Sequence, residues 1–195
     1  IFSKLFSNIF THFAMQKLLV FLGCVLFLAS SRTYPMYKQC DPAWRNDQLG
    51  TSSNTICSAG CLMSSAAMAL TGTVKEFTPA TLNKWLTQNG GYVAGDLFVW
   101  ASINVFGLKF EGKVANSEIK KKLDQGNVVI CNVHNGKHWV LAYAYNGDNI
   151  LINDPNYTTP YYNLSEIVDG QSGVYSVGNG VYQNILGKFR EILSN

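Results

Sequence analysis

Residues 128–155 read VVICNVHNGKHWVLAYAYNGDNILINDP, and this stretch decides the fold. Val128 to Val133, His138 to Tyr145 and Asn149 to Asn153 are three runs rich in β-branched and aromatic residues, separated by turn formers. That composition argues for strands rather than helices. Asn146-Gly147-Asp148 is a tight-hairpin signal between the second and third runs, because such turns require residues that accept positive φ. An antiparallel sheet is therefore predicted from about Val128 onward.

Upstream the pattern is helical. In AGCLMSSAAMAL, Ala59 to Leu70, small and apolar residues recur at helical spacing and stop at Gly72, which predicts a buried helix. Thr78-Pro79 opens a second, Pro being pre-organised for the first helical position, and Asn89-Gly90-Gly91 closes it. Asp96 to Phe106 reads as a third helix closed by Gly107, and Ser117 to Gln125 as a short fourth with Ser117 as its N-cap. The part up to about Gly50 reads as irregular. Helices first and an antiparallel sheet afterwards predict an α+β fold with segregated halves, and a site between them would join a helix N-terminus to strand ends.

The whole chain has 195 residues, 47% hydrophobic and 14% charged, enough for one sizeable core. No linker, repeat or low-complexity tract lies between Thr33 and Asn195. The formal charge is +3, and Lys4 and Lys17 supply two of those charges, so nothing points to nucleic acid. From Met15 the sequence runs MQKLLVFLGCVLFLASSR, with a Lys, an apolar run from Leu18 to Leu28, and then Ala29, Ser30 and Ser31. This is the grammar of a secretory signal peptide. The run is too short for a membrane span, which needs about 20 apolar residues. The expectation is cleavage before Arg32, with residues 1–14 an upstream extension and 32–195 a single domain. The product is then secreted, or held in the lumen of a secretory or digestive compartment, without stable membrane association. Cys24 leaves with the signal, and Cys40, Cys57, Cys61 and Cys131 remain in an oxidising compartment. Asn156-Tyr157-Thr158 and Asn163-Leu164-Ser165 are N-glycosylation sequons.

The mature chain has two histidines, His134 and His138. Their spacing would suit a metal on a helix, but Asn135-Gly136 breaks helical continuity and no third ligand is near, so no metal is expected. A hairpin turning at residues 146–148 pairs residues whose numbers sum to about 293–295. His138 then lies opposite residues 155–157, with Asp154 one to three positions away. An Asp there accepts a bond from one ring nitrogen and leaves the other as a base. Alternatively, Asp154-Pro155 simply ends a strand by turn chemistry. Cys61 follows Gly60 at the start of the first buried helix, where free N–H groups and the dipole favour thiolate, and its own N–H can serve an oxyanion. A buried structural Cys or one half of a disulfide is the other reading. His134 reads as a loop residue or a contact at the rim of the site. Trp139 either shields the His138 ring or packs in the core, and Lys120-Lys121-Lys122 reads as a solvated helix face.

Taken in order, Gln39-x-Asp41-x-x-Trp44, the Gly60-Cys61-x-x-Ser64-x-Ala66 segment with Met68 and Ala69, Gly136-Lys137-His138-Trp139-Val140 and Asn153-Asp154-Pro155 resemble the peptidase C39-like family of papain-like cysteine peptidases. The resemblance spans roughly Pro35 to Tyr162. It implies a papain-like α+β fold, Cys61 as nucleophile, His138 as general base, Asp154 as its orienting partner, and Gln39 as an oxyanion-hole amide. Gln39 comes from the resemblance alone. The chain departs from the family in Leu62-Met63 after the nucleophile, where Gly or Pro is frequent, and in the extra Cys40 and Cys57. Beside that resemblance, the simplest expectation is a Cys40–Cys57 disulfide, a free Cys61 and a buried Cys131. The function expected is a secreted cysteine peptidase, monomeric and without cofactor, acting on peptides or proteins through an acyl-enzyme. An amidase or acyltransferase using the same residues, or a catalytically silent binding domain, are the alternatives.

Overall fold

The structure is a computed structural model and describes residues 32–178. Residues 1–31, where a signal peptide and an upstream extension are expected, lie outside the described residues. From residue 32 to 55 the chain runs through turns, with one bridge between Gln48 and Thr55. A single helical turn follows, α1 (Ile56–Ala59), capped reciprocally by Thr55 and Ser58. Gly60 then separates it from α2 (Cys61–Thr71). At Gly60 a Cβ would crowd the Ile56 carbonyl and side chain, so only glycine lets the two helices abut here. Helix α2 is buried from Met63 through Leu70, polar Ser64 and Ser65 included, as its lack of a polar face requires. Ser65 Oγ donates to the Trp139 carbonyl at 3.2 Å and seats the helix on the sheet. Helix α3 (Pro79–Gln88) begins with a Thr78–Thr81 capping box and ends at Asn89, as its sequence dictates.

The third predicted helix is corrected. Tyr92–Val93 (β1) and Leu97–Phe98 (β2) form a small hairpin through Ala94 and Gly95, both at positive φ, and Trp100–Phe106 is a 3-10 helix ending at left-handed Gly107. The reason is tertiary. Asp96 turns away from any helix to accept from Ser52 Oγ (2.9 Å) and Asn54 Nδ2 (2.7 Å), and Thr51 N–H donates to the Gly95 carbonyl (2.9 Å). The 50–54 loop thus holds the hairpin open.

The remaining strands are β3 (Leu108–Val114), β4 (Val128–Val133), β5 (His138–Asn146), β6 (Asn149–Asn153), β7 (Tyr161–Asn163) and β8 (Ser172–Val177), with α4 (Asn116–Asp124) between β3 and β4. They form one antiparallel sheet in the order β3-β8-β4-β5-β6-β7. Both faces are covered, so all six residues of β4 are buried. Val128 and Ile130 join the cluster built with α2 and α3, while Val129, Cys131 and Val133 pack with Ile119 of α4 on the opposite face. Strand β8 was not predicted: its glycine, Gly173, is required because a Cβ there would run into the Trp100 ring. Helix α4 begins one residue early, and Ser117 is not its cap. Ala115 holds the cap position without a side-chain bond, and the distant Asp169 accepts from Asn116 N–H at 2.8 Å instead. Among the described residues no helix is long and apolar enough to cross a membrane.

Candidate active site

Cys61 is the first residue of α2, His138 the first of β5, and Asp154 follows the last residue of β6. The β5–β6 hairpin brings the last two together. Its pairs run from Asn146 opposite Asn149 to Leu141 opposite Asn153, with a bulge between Ala142 and Ala144 that changes the register by one. His138 Nε2 lies 2.8 Å from Asp154 Oδ1. That bond leaves the other ring nitrogen, Nδ1, for Cys61, which lines the same cleft and whose side chain is among the causes that raise the imidazole pKa. Cys61 is half-buried and free of disulfide.

Asp154 is fully buried, and its charge is met on every side. Besides His138, Oδ1 accepts from the backbone N–H groups of Asn156 and Tyr157, each at 2.8 Å, and Oδ2 accepts from Tyr162 Oη at 3.0 Å. Lys38 Nζ donates to the Asp154 carbonyl at 2.7 Å and fixes the same loop from its backbone side. Burial alone raises a carboxyl pKa, but the His138 bond, the two N–H donors and the nearby imidazolium outweigh it and hold Asp154 below its ordinary value. Burial likewise opposes charge on His138. The bonds to Asp154 and Cys61, with the charge of each, overcome that and push the imidazole up to about 9.

These two shifts set a pH dependence of stability. The folded His138 binds its proton more tightly than the unfolded chain does, so its contribution is complete below about 6.5 and is lost as pH rises through about 9. Asp154 contributes above its ordinary 3.8 and loses that contribution as pH falls through its lower folded value. Both are at full strength between about pH 4 and 6.5. Thermal melts are expected to decline from neutral pH to about pH 10 by on the order of 3 kcal/mol. In His138→Gln that decline should flatten. An equally steep decline in the variant would assign it to other groups.

Gln39 lies on the irregular N-terminal segment, and three contacts bring it to the site. Its backbone N–H donates to the Pro155 carbonyl (2.8 Å), its Nε2 donates to the Cys57 carbonyl (2.6 Å), and Cys40 beside it is joined to Cys57 by a disulfide. The pairing expected alongside the family resemblance is the one present. A carbonyl can only accept, so the amide orientation is fixed, with one Nε2 hydrogen on Cys57 and the other free. Cys131 is buried in β4, its thiol pushed up to about 12 by burial, partly offset by Ser172.

A cleft of about 510 Å³ runs past Cys61, Gln39 and His138. Met63, Tyr92, Phe98, His134, Lys137 and Tyr157 also line it. Trp139 also borders the cleft, but its ring packs edge-on against Trp100 at 5.2 Å, so of its two readings the core one describes it best. The ring neighbours of His138 are instead Tyr157 (5.3 Å, edge-on) and His134 (5.5 Å, stacked). Lys120 reaches from α4 to Asp148 in the β5–β6 turn at 2.7 Å, and Lys121 pairs with Glu118 on the helix itself at 3.2 Å. Reasoning from residues alone missed Tyr162, Tyr157 and Lys38; each depends on the course of the chain after β6, which carries no local signal.

The model of the Peptidase_C39 like family matches residues 32–169. No curated protein matches the chain. A solved structure described as a double glycine motif protease from an AMS/PCAT transporter, in complex with the leader peptide, is similar at 17% identity and a TM-score of 0.49, over 76% of this chain and 94% of that one. The fold is α+β and papain-like, the family match covers most of the sequence, and the chain belongs to the Peptidase_C39 like family.

Proposed function

We propose that the protein is a cysteine peptidase that hydrolyses peptide bonds through an acyl-enzyme, with Cys61, His138, Asp154 and Gln39 carrying the reaction. What supports this most is the 2.8 Å bond of Asp154 Oδ1 to His138 Nε2, which leaves Nδ1 for the Cys61 thiol in the cleft that both line. An imidazole pushed up to about 9 keeps the proton that it takes from Cys61. The sulfur then attacks the peptide carbonyl carbon, and the oxyanion is held by the Cys61 backbone N–H and the free Nε2 hydrogen of Gln39. As the C–N bond breaks, His138 Nδ1 delivers its proton to the leaving amine, giving a thioester. Water attacks that thioester while Nδ1 takes its proton, and the C–S bond breaks to release the carboxylate product. No cofactor enters this scheme, and the protein acts as a monomer.

The same proposal puts the chain in the secretory route, cleaved before Arg32, and the Cys40–Cys57 disulfide supports an oxidising compartment. Of the two sequons, the exposed Asn156 is the proposed acceptor, since the Asn163 side chain already accepts from Ser165 and donates to Asn149.

The test is timed labelling of the folded protein with iodoacetamide, read by peptide mapping. The expected map starts at Arg32, shows Cys40 bridged to Cys57, labels Cys61 and spares Cys131. At about pH 6 the Cys61 rate is expected to fall at least tenfold in His138→Ala. A Cys61 found in a bridge, or labelled at a rate indifferent to His138, would remove it from the reaction.

A further inference from the structure

The mechanism leaves the second histidine without a role. His134 sits in the turn between β4 and β5 at φ 52, followed by Asn135 at φ 54, a left-handed pair that non-glycine residues adopt at a cost. Its Nε2 is 3.1 Å from Tyr162 Oη, and that oxygen is 3.0 Å from Asp154 Oδ2. The directions of these bonds follow from the donor inventory. Ionised Asp154 can only accept, so the single hydroxyl proton of Tyr162 goes to Oδ2. The Tyr162 oxygen must then accept from His134, whose Nε2 carries hydrogen. A continuous chain results: His134 Nε2–H to Tyr162 Oη–H to Asp154 Oδ2, with Oδ1 receiving His138 Nε2–H. Tyr162 is buried, and burial and then Asp154 both push its hydroxyl pKa up, so it stays a donor.

Resting on the peptidase reading, we propose that Tyr162 and His134 are positioning residues acting through Asp154. Tyr162 occupies the carboxylate oxygen that His138 does not use. That stops the carboxylate from rotating and sets how strongly it pulls on the imidazole. His134, donating to Tyr162, strengthens that hold, since hydrogen bonds in series polarise one another. The groups facing His134 are Lys137 in its own turn, His138 at the start of β5, Tyr157 and Asp154 in the loop after β6, and Tyr162 of β7.

The sign follows. With the Tyr162 donor deleted, Asp154 becomes a stronger acceptor for the donors that remain, His138 and the Asn156 and Tyr157 N–H groups, and the imidazole should hold its proton more tightly. The experiment follows the His138 ring by NMR of histidine-labelled protein across a pH titration, with Cys61 alkylation rates measured on the same samples. Tyr162→Phe is expected to raise His138 proton affinity by about threefold to tenfold, a part of the worth of one hydrogen bond to a charged group. His134→Phe keeps the ring contacts but removes the donor and should give a smaller rise. His134→Gln keeps a donor and should return the titration towards wild type. The alkylation profile should move with the His138 titration in each variant. A merely structural role would change melting temperature and leave the titration in place. If wild-type His138 titrates high while both Phe variants leave it unmoved, the positioning role is overturned and the Cys61–His138–Asp154 reading stands. If wild-type His138 titrates as a free imidazole and Cys61 labels as it does in unfolded chain, both fall together. His134 is exposed, so its variants keep the test open should Tyr162→Phe fail to fold.

Discussion

Cys61→Ala is expected to abolish peptide hydrolysis, by roughly a thousandfold or more in kcat/KM, while leaving the fold intact. The sulfur is the sole group at the start of α2 able to form the acyl-enzyme; Cys131 is buried in β4, and Cys40 and Cys57 are joined to each other. The fold should survive because Cys61 is only half-buried, so the cavity left is small and open, and Ala suits a helix at least as well as Cys. The measurement is kcat/KM against a peptide library beside a thermal melt of the same sample. Near-wild-type turnover from the variant would end the proposed mechanism. A collapsed melt would point to a packing role for the side chain.

Asp154→Ala should have the second largest effect, and unlike the first it should strike stability and activity together. Removing the carboxylate leaves His138 Nε2, Tyr162 Oη and the N–H groups of Asn156 and Tyr157 facing a vacated buried space. Breaking such a network costs about 3–5 kcal/mol, or on the order of 10 °C of melting temperature for a chain of this size. Activity should fall a hundredfold or more, since nothing then fixes the imidazole. Asp154→Asn separates the two effects. Its carbonyl oxygen keeps part of the donor set, so much of the stability should return, while the lost charge leaves activity low. Equal recovery of both would mean that Asp154 serves the fold alone.

How much of this was legible in the sequence differs residue by residue, for physical reasons. The meeting of His138 and Asp154 was legible because a hairpin is arithmetic: the Gly147-Asp148 turn sets the sum of paired numbers at 295, and the bulge near Tyr143 changes it only to 294. Cys61 was legible because a glycine before a run of small and apolar residues marks a helix start. Gln39 was not, since its place depends on Pro155, Cys57 and a disulfide, none of them near it along the chain. The alternation of Leu108, Phe110 and Val114 with Lys109, Glu111 and Lys113 is a strand signal in plain view, and the expectation assigned nothing there. Strand β8 is harder: Ser172, Gly173 and Ser176 dilute its pattern, and the glycine serves Trp100 rather than the strand. Of the helix expected over Asp96 to Phe106, the part from Trp100 forms, as a 3-10 helix, while the first residues are drawn into a hairpin because the bonds of Asp96 lie elsewhere.

The strand order has a consequence for the timing of assembly. β8 lies between β3 and β4, and among the described residues β3 pairs with no other strand of the sheet. A chain emerging from the ribosome in order can close the β5–β6 hairpin as soon as its turn is free, since the partners are close in sequence. It cannot join β3 to the rest until residues 172–177 arrive, and loops that long close slowly. Until then β3 and β4 each present an unpaired edge open to the wrong partner. Strand β8 is therefore the keystone, and nascent chains depend most on protection just before it is set.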